Sequence, residues 1–149
     1  MKKIFMLSFV TCLMIACQIP SNKVTVESPV DSLVTNWANN WNNHDSLALI
    51  NMFASDVVVF DNNLVMKNSE ELITKLIRPY YNIMTDMRIE KISEWVANDR
   101  AGFSGTWSVN IFASDTVAVL HTGAFTCVWE KSKSGEWKVI NAHISDFTE

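Results

Sequence analysis

WKVINAHISDF, residues 137–147, is typical of a β-strand in which an imidazole and an amide share a row with apolar side chains. Successive side chains of a strand point to opposite faces, so every second residue belongs to one row. The row that starts at the tryptophan consists of Trp137, Val139, Asn141, His143 and Ser145. A histidine and an asparagine on a row that should face the core indicate polar groups within a mostly apolar lining.

The segments before this strand predict a sheet built from hairpins. Four strands are expected at about 86–97, 101–112, 116–131 and 136–147, separated by short polar links. Links of this length join antiparallel neighbours. A fifth, buried strand is expected at VVVF, residues 57–60, because β-branched residues favour strands.

Helices are expected before the hairpins. Pro29 suits the first turn of a helix whose apolar residues recur at intervals of three and four. Asp45 is placed to cap a second, short helix, and Ser69 heads a third helix with one apolar stripe. Helices first and a meander afterwards indicate an α+β fold, with three N-terminal helices packed on one face of a curved, mostly antiparallel sheet.

The later strands carry apolar residues on both faces. In the strand expected at 116–131, Phe125 and Trp129 lie on one face, and Leu120 and Val128 on the other. A sheet covered by helices on one side should be polar on its other side. The sequence therefore predicts a homodimer formed through the outer sheet face, although scattered apolar residues on a surface are normal.

Together these features resemble the nuclear transport factor 2-like superfamily, and its SnoaL-like branch in particular. The resemblance rests on the Trp-bearing first helix, on HDSLALINMFASDVVVF (residues 44–60) and on the ending GEWKVINAHIS (residues 135–145), and it covers about residues 29–147. It implies a cone-shaped sheet around an interior pocket and a dimer through the outer face. The superfamily contains cyclases, isomerases and dehydratases beside members without catalysis, so fold alone does not give activity.

The resemblance directs the row of His143 toward this cone. His143 is a candidate general acid or base, a hydrogen-bond donor to a bound carbonyl, or a core histidine satisfied by its neighbours. Asp61 is a candidate carboxylate at the mouth of the cone, although FDNN is equally typical of a turn. Asp146 has the opposite parity to His143 and is expected to face away. The expected pocket lining is Trp37, Trp41, Phe60, Tyr80, Trp107, Asn141 and His143.

Several other chemistries are not supported by the sequence. The three histidines form no metal-ligand motif, and neither a metal site nor a cofactor is predicted. There is no cluster of lysine and arginine, which argues against nucleic acid as a partner. Cys127 lacks a base close along its strand that would make it a nucleophile.

The N-terminus indicates a bacterial lipoprotein. Lys2 and Lys3 precede an apolar run from Ile4 to Ala16, which is too short to span a bilayer but suits a signal peptide. Met14-Ile15-Ala16-Cys17 resembles a lipobox, so residues 1–16 are expected to be removed and Cys17 to be lipidated. Residues 17–28 then form a flexible tether, and residues 29–149 form the domain.

These features favour a membrane-tethered domain of the cell envelope that binds a small apolar or aromatic molecule in the cone. Two alternatives stay open. One is an enzyme of the cyclase, isomerase or dehydratase type that uses His143 as acid or base. The other is a protein-interaction module without a ligand. The nature of the ligand is not encoded in any residue pattern of the sequence.

Overall fold

The first two helices follow each other in the chain and are separated by a short turn. The computed structural model describes residues 28–114 and 116–147, so the predicted signal peptide, Cys17 and most of the tether lie outside the described residues. Helix α1 spans Val30–Asn42 and buries Trp37 and Trp41. Helix α2 spans Ser46–Asn51 and is capped as predicted, because the Ala48 N–H donates to Asp45 Oδ1 over 2.9 Å.

The third helical stretch is continuous but irregular. It consists of α3 (Ser69–Leu72), a π-helical segment (Ile73–Ile77) and α4 (Arg78–Tyr80). Asn68, one residue before the predicted start, caps it by accepting a 2.9 Å hydrogen bond from the Glu71 N–H. Within the described part of the chain, no helix has the length and apolar character needed to cross a bilayer.

Six strands form one curved, open sheet in the order β2-β1-β6-β5-β4-β3. Their bounds are β1 Phe53–Asp61, β2 Leu64–Met66, β3 Met84–Ala97, β4 Arg100–Ser114, β5 Val117–Lys131 and β6 Trp137–Asp146. All neighbours are antiparallel except β1 and β6, which run parallel. The prediction of an α+β cone with a mostly antiparallel sheet is confirmed. The short strand β2 was not predicted, because its three residues follow the turn at Asn62 and Asn63.

A register shift in β6 changes which residues face the helices. Trp129 of β5 pairs with Val139, but the preceding Val128 pairs with Asn141, so β6 holds one extra residue there. An extra residue reverses the alternation of side chains beyond it. Val139 and Ala142 are therefore both buried on the inner face. The prediction that one unbroken row carries residues 137–145 is wrong for this physical reason.

A second irregularity, at the start of β3, ties helix α1 to the sheet. The pairing of β3 with β4 shifts between Thr85 and Arg88, and Asp86 has a φ of 57°. The side chain of Asn42, at the end of α1, donates to the Met87 carbonyl over 3.0 Å and accepts from the Met87 N–H over 2.6 Å. These two bonds satisfy the backbone N–H and C=O groups of Met87, which the bulge leaves without partners in the sheet. They attach the end of helix α1 to strand β3 at Met87.

Candidate functional site

A cavity of about 240 Å³ lies between the helices and the inner face of the sheet. Its wall is mostly hydrocarbon. Trp37, Trp41, Tyr80, Trp107 and Phe125 provide aromatic surface, and methionine, leucine and isoleucine side chains complete the apolar part. The lining also includes Asn62 and Asp146, which are exposed, so the cavity opens to solvent beside them.

The aromatic part of the wall is held by packing. The Trp37 ring lies 5.3 Å from that of Phe53 and 4.9 Å from that of Phe125, as measured between ring centroids. The Trp107 indole N–H donates to the Ala124 carbonyl over 3.2 Å. Trp107 lies directly over Gly123, where an added Cβ would come within 2.6 Å of the indole nitrogen. Gly123 thus creates the space that this wall residue occupies.

The Trp41 indole nitrogen is buried and has no hydrogen-bond acceptor among the described residues. Since that nitrogen is itself inaccessible to solvent, a molecule in the cavity meets the hydrocarbon part of the ring. Trp41 therefore contributes apolar contact, and its N–H does not set the polarity of the site.

Two carboxylates meet at the mouth of the cavity. Asp61 ends β1 and Asp146 ends β6, and these parallel strands pair Asp61 with Ile144, two residues before Asp146. Both aspartates line the cavity. Partial burial raises the pKa of the Asp61 carboxyl above its ordinary value, and repulsion by the Asp146 carboxylate raises it further.

Asn62 connects the two strand ends that carry these carboxylates. Its side-chain amide donates to Asp61 Oδ1 over 3.2 Å, and its side-chain oxygen accepts from the Asp146 N–H over 2.9 Å. Its own N–H donates to the Ile144 carbonyl over 3.1 Å. Asn62 adopts a φ of 49°, a left-handed conformation that asparagine tolerates better than most residues. It therefore fixes the orientation of the Asp61 carboxyl relative to β6.

The structure places some of the predicted site residues in the cavity lining and others outside it. Trp37, Trp41, Tyr80, Trp107 and Asp61 line the cavity. Phe60, Asn141 and His143 do not, and their predicted place in the lining is wrong. His143 is exposed on the outer face, where its ring lies 6.1 Å from that of Phe60. The reversal of alternation in β6 places Asn141 and His143 outside, and Phe60 is the outward-facing residue of β1 between Val59 and Asp61.

Three polar residues of the lining were not predicted as site residues: Asn62, which follows β1, His121 of β5 and Asp146 of β6. His121 has the same strand parity as Phe125, which faces the helices, and that parity was a usable signal. Asp146 has the opposite parity to His143, as expected. Because His143 faces outward, the same parity directs Asp146 inward.

Other reactive groups of the described residues lie apart from this site. Burial raises the pKa of the Cys127 thiol well above its usual value, which leaves it un-ionised and unreactive. In the described ranges, no three histidine, cysteine, aspartate or glutamate side chains lie together in a way that would hold a metal ion.

Comparison with known proteins gives a fold. No family model matches the sequence, and no curated protein matches it. A ketosteroid isomerase-like protein from Erwinia carotovora atroseptica has a TM-score of 0.69 at 16% identity, with 80% of this chain and 95% of that chain covered. An NTF2-like protein of unknown function from Shewanella oneidensis has a TM-score of 0.65 at 20% identity, with 80% and 100% covered.

A third solved structure agrees with these two. It is an NTF2-like protein with a cystatin-like fold from Novosphingobium aromaticivorans, with a TM-score of 0.63, 11% identity and 79% of each chain covered. The chain therefore has the nuclear transport factor 2-like fold, as predicted from its helices and final strand. At these identities the likeness extends to the fold alone.

Proposed function

We propose that this domain binds a small, mostly apolar molecule in its cone. The observation that carries the proposal is a cavity of about 240 Å³ whose wall is aromatic and aliphatic and whose mouth holds the polar groups. Ligand sites are commonly apolar clefts in which a few polar groups set the orientation. A molecule with one aromatic ring and one polar end fits this cavity, because its ring would contact the apolar wall and its polar end would lie at the mouth.

Saturation-transfer NMR with a panel of small aromatic compounds tests this proposal on the full chain. Ile144 lines the cavity beside Asp61, so Ile144→Trp fills the space that a ligand would occupy. Ile92→Trp is the control, because Ile92 is 72% exposed and lies outside the cavity lining. We expect the ligand signals to disappear in Ile144→Trp and to persist in Ile92→Trp. Signals that survive both substitutions would refute binding in the cone.

A second candidate is an enzyme that moves a proton. With His143 on the outer face, the acid/base candidates in the lining are Asp61, Asp146 and His121. A carboxyl with a raised pKa in a largely apolar cavity is suited to act as a general base, and Asp61 fulfils that condition. One solved neighbour is described as ketosteroid isomerase-like, which agrees with this chemistry for that protein.

Deuterium incorporation distinguishes the enzyme from the binding domain. Small aromatic ketones are incubated with the full chain in D₂O, and exchange next to the carbonyl is followed by NMR. Exchange that disappears in Asp61→Asn and persists in His143→Ala would support an enzyme with Asp61 as base. Bound ketones whose exchange is not accelerated would leave binding as the function.

We propose further that Cys17 carries lipid and tethers the domain to a membrane of the bacterial envelope. The apolar run from Ile4 to Ala16 and the lipobox-like residues before Cys17 support this. Labelling of cells with an alkyne fatty acid tests it. We expect label on the wild-type protein and none on Cys17→Ser, and equal absence of label on both would refute the anchor.

Apolar residues on the outer sheet face support the proposal of a homodimer. Phe60, Trp95 and Leu120 are 42%, 48% and 64% exposed, and such residues are commonly covered by a partner. Light scattering on the full chain is expected to give twice the chain mass, and Leu120→Glu is expected to halve it. Leu47→Glu, at a site 72% exposed on α2, is the matched control and should leave the mass unchanged. A monomeric wild-type protein would refute the dimer.

A further inference from the structure

We infer that the ligand of this cavity is an organic cation, a small aromatic amine whose ammonium group lies between the two carboxylates at the mouth. This inference rests on the proposed binding function and specifies the chemical class that the site selects. It follows from the charges in the lining, from the aromatic surface beside them and from the place where the cavity opens.

The permanent charges of the cavity lining are all negative. The ionisable side chains that line the cavity are Asp61, Asp146, His121 and Tyr80, and within the described part of the chain no lysine or arginine joins them. At neutral pH this lining carries negative charge and no permanent positive charge. A cation is therefore attracted to the mouth, whereas a carboxylate ligand is repelled by two like charges.

The two carboxylates at the mouth have no counter-ion from the protein within the described part of the chain. Five carboxylates elsewhere form ion pairs with lysine or arginine, those of Asp31, Glu71, Asp86, Glu94 and Glu130. Among the described residues, neither Asp61 nor Asp146 has such a partner. Two neighbouring aspartates without a counter-ion repel each other, and this repulsion contributes to the raised pKa of Asp61. An ammonium group would relieve it.

The aromatic wall is suited to the rest of an amine. Trp37, Trp41, Tyr80 and Trp107 line the same cavity as the two carboxylates. The face of an aromatic ring attracts a cation, and the indole ring of tryptophan does so most strongly. This attraction is largest where water is excluded. The ring of the ligand also gains apolar contact in the interior, so both ends of an aromatic amine find suitable surroundings.

An ammonium group that binds beside Asp61 must also change the pKa of the Asp61 carboxyl group. The carboxyl has a raised pKa in the free protein, and a bound ammonium favours the ionised form, so binding releases a proton over the range where Asp61 is partly protonated. The other ionisable groups of the lining are Asp146 on β6, His121 on β5 and Tyr80 on α4.

Three isosteric probes test the inference on the full chain by calorimetry at pH 7.5. Phenethylamine is a cation, 2-phenylethanol is neutral and phenylacetate is an anion, while ring and chain length stay the same. We expect the amine to bind about tenfold more tightly than the alcohol, as a partly desolvated cation–π contact allows, and the carboxylate to bind more weakly than both. In Asp61→Asn the preference for the amine should fall to less than threefold.

The pH dependence supplies an independent readout. Amine affinity is expected to rise as pH increases from 4.5 to 7.5, with a smaller rise in Asp61→Asn. Alcohol that binds as tightly as the amine would overturn the inference and leave the proposed binding function intact. If neither probe binds and Ile144→Trp changes nothing, the proposed function fails together with the inference.

Discussion

The inner face of the sheet has two ends, and the same strands build both. At the closed end, Phe103, Cys127 and Trp129 are at most 2% exposed, and none of them lines the cavity. At the open end, β5 continues with Gly123 and His121, and β1 and β6 end in aspartates, so a cavity remains. Large side chains close the cone at one end, while a glycine and polar residues keep it open at the other.

The contrast between the two ends shows how one sheet can provide both a stable core and a candidate binding site. Residues of the closed end contribute buried area, and the cost of changing them is the cost of a cavity in the core. Residues of the open end already border a cavity, so their loss should affect ligand binding more than folding. Substitutions at the two ends are therefore expected to separate these effects.

The largest effect is expected at the closed end. Trp129→Ala should lower the free energy of unfolding by about 3–5 kcal/mol, because a fully buried indole is lost. Trp107→Ala, at the half-buried open end, should cost only about 1–2 kcal/mol. Urea denaturation of both variants measures the difference. Equal losses of unfolding free energy in the two variants would contradict the distinction between a packed closed end and an open end that borders the cavity.

The buried N–H of Trp129 provides a sharper control. It has no acceptor among the described residues, and an unsatisfied buried donor costs about 1–3 kcal/mol. Trp129→Phe removes that donor while it keeps a large ring, so its cost should be far below that of Trp129→Ala. A cost as large as that of the alanine variant would show that the N–H has a partner in solution.

The next largest effect is expected at Gly123, where the open end begins. A Cβ there would overlap the Ser145 carbonyl oxygen and would lie 2.6 Å from Trp107 Nε1. Gly123→Ala must displace β6 or Trp107, and overpacking of this kind costs about 1–3 kcal/mol. The displacement should shift the indole N–H resonance of Trp107. Thr122→Ala, on the same strand, is the control, and a shift of equal size in that variant would contradict the assignment to Gly123.

A smaller effect is expected at Asn62, which links the two strand ends of the mouth. Asn62→Ala should cost about 1–2 kcal/mol, because alanine is unfavourable in the left-handed conformation and both side-chain hydrogen bonds are lost. Asn62→Gly permits the conformation and loses only the bonds, so it should be the more stable of the two. The opposite order in thermal unfolding would show that the backbone at Asn62 is not strained.

Asp61 is expected to change the pH dependence of stability by less than about 1 kcal/mol, because the group is only half-buried. Its folded-state pKa is raised above the value of about 3.9 found in exposed aspartates, so the folded protein retains a proton that the unfolded chain has released. The resulting stability is present at low pH and is lost as pH rises through the folded-state pKa.

Asp61→Asn has no such titration. Thermal unfolding from pH 4 to pH 7 should therefore show the wild type losing stability relative to this variant. Asp146→Asn removes the repulsion and should lower the pKa of Asp61, which carbon-13 NMR of the carboxyl group measures. A pKa of Asp61 that is unchanged in Asp146→Asn would show that burial alone raises it.

The sequence predicted the architecture better than the site. Helical spacing around Trp37 and Trp41 and the polar links between strands are local signals, and they predicted elements that the structure contains. The inner row of β6 depends on one extra residue between Val139 and Ala142, whose position is set by pairing with β1 and β5. A two-residue alternation read along one strand does not contain that information. Asp61 was a candidate because it follows a buried strand, but its partner Asp146 was excluded by the same alternation.

The smallest effect is expected at His143, the residue that the sequence placed at the centre of the site. It lies on the outer face, exposed and beside Phe60, and it is absent from the cavity lining. His143→Ala should change the free energy of unfolding by no more than about 0.5 kcal/mol, as at most surface positions. It should leave the affinity for phenethylamine unchanged within about twofold, since no contact with the cavity is removed. His121→Ala is the comparison and should lower that affinity, because it removes a side chain that lines the cavity. A loss of binding in His143→Ala that equals the loss in His121→Ala would show that β6 adopts the unbroken alternation in solution.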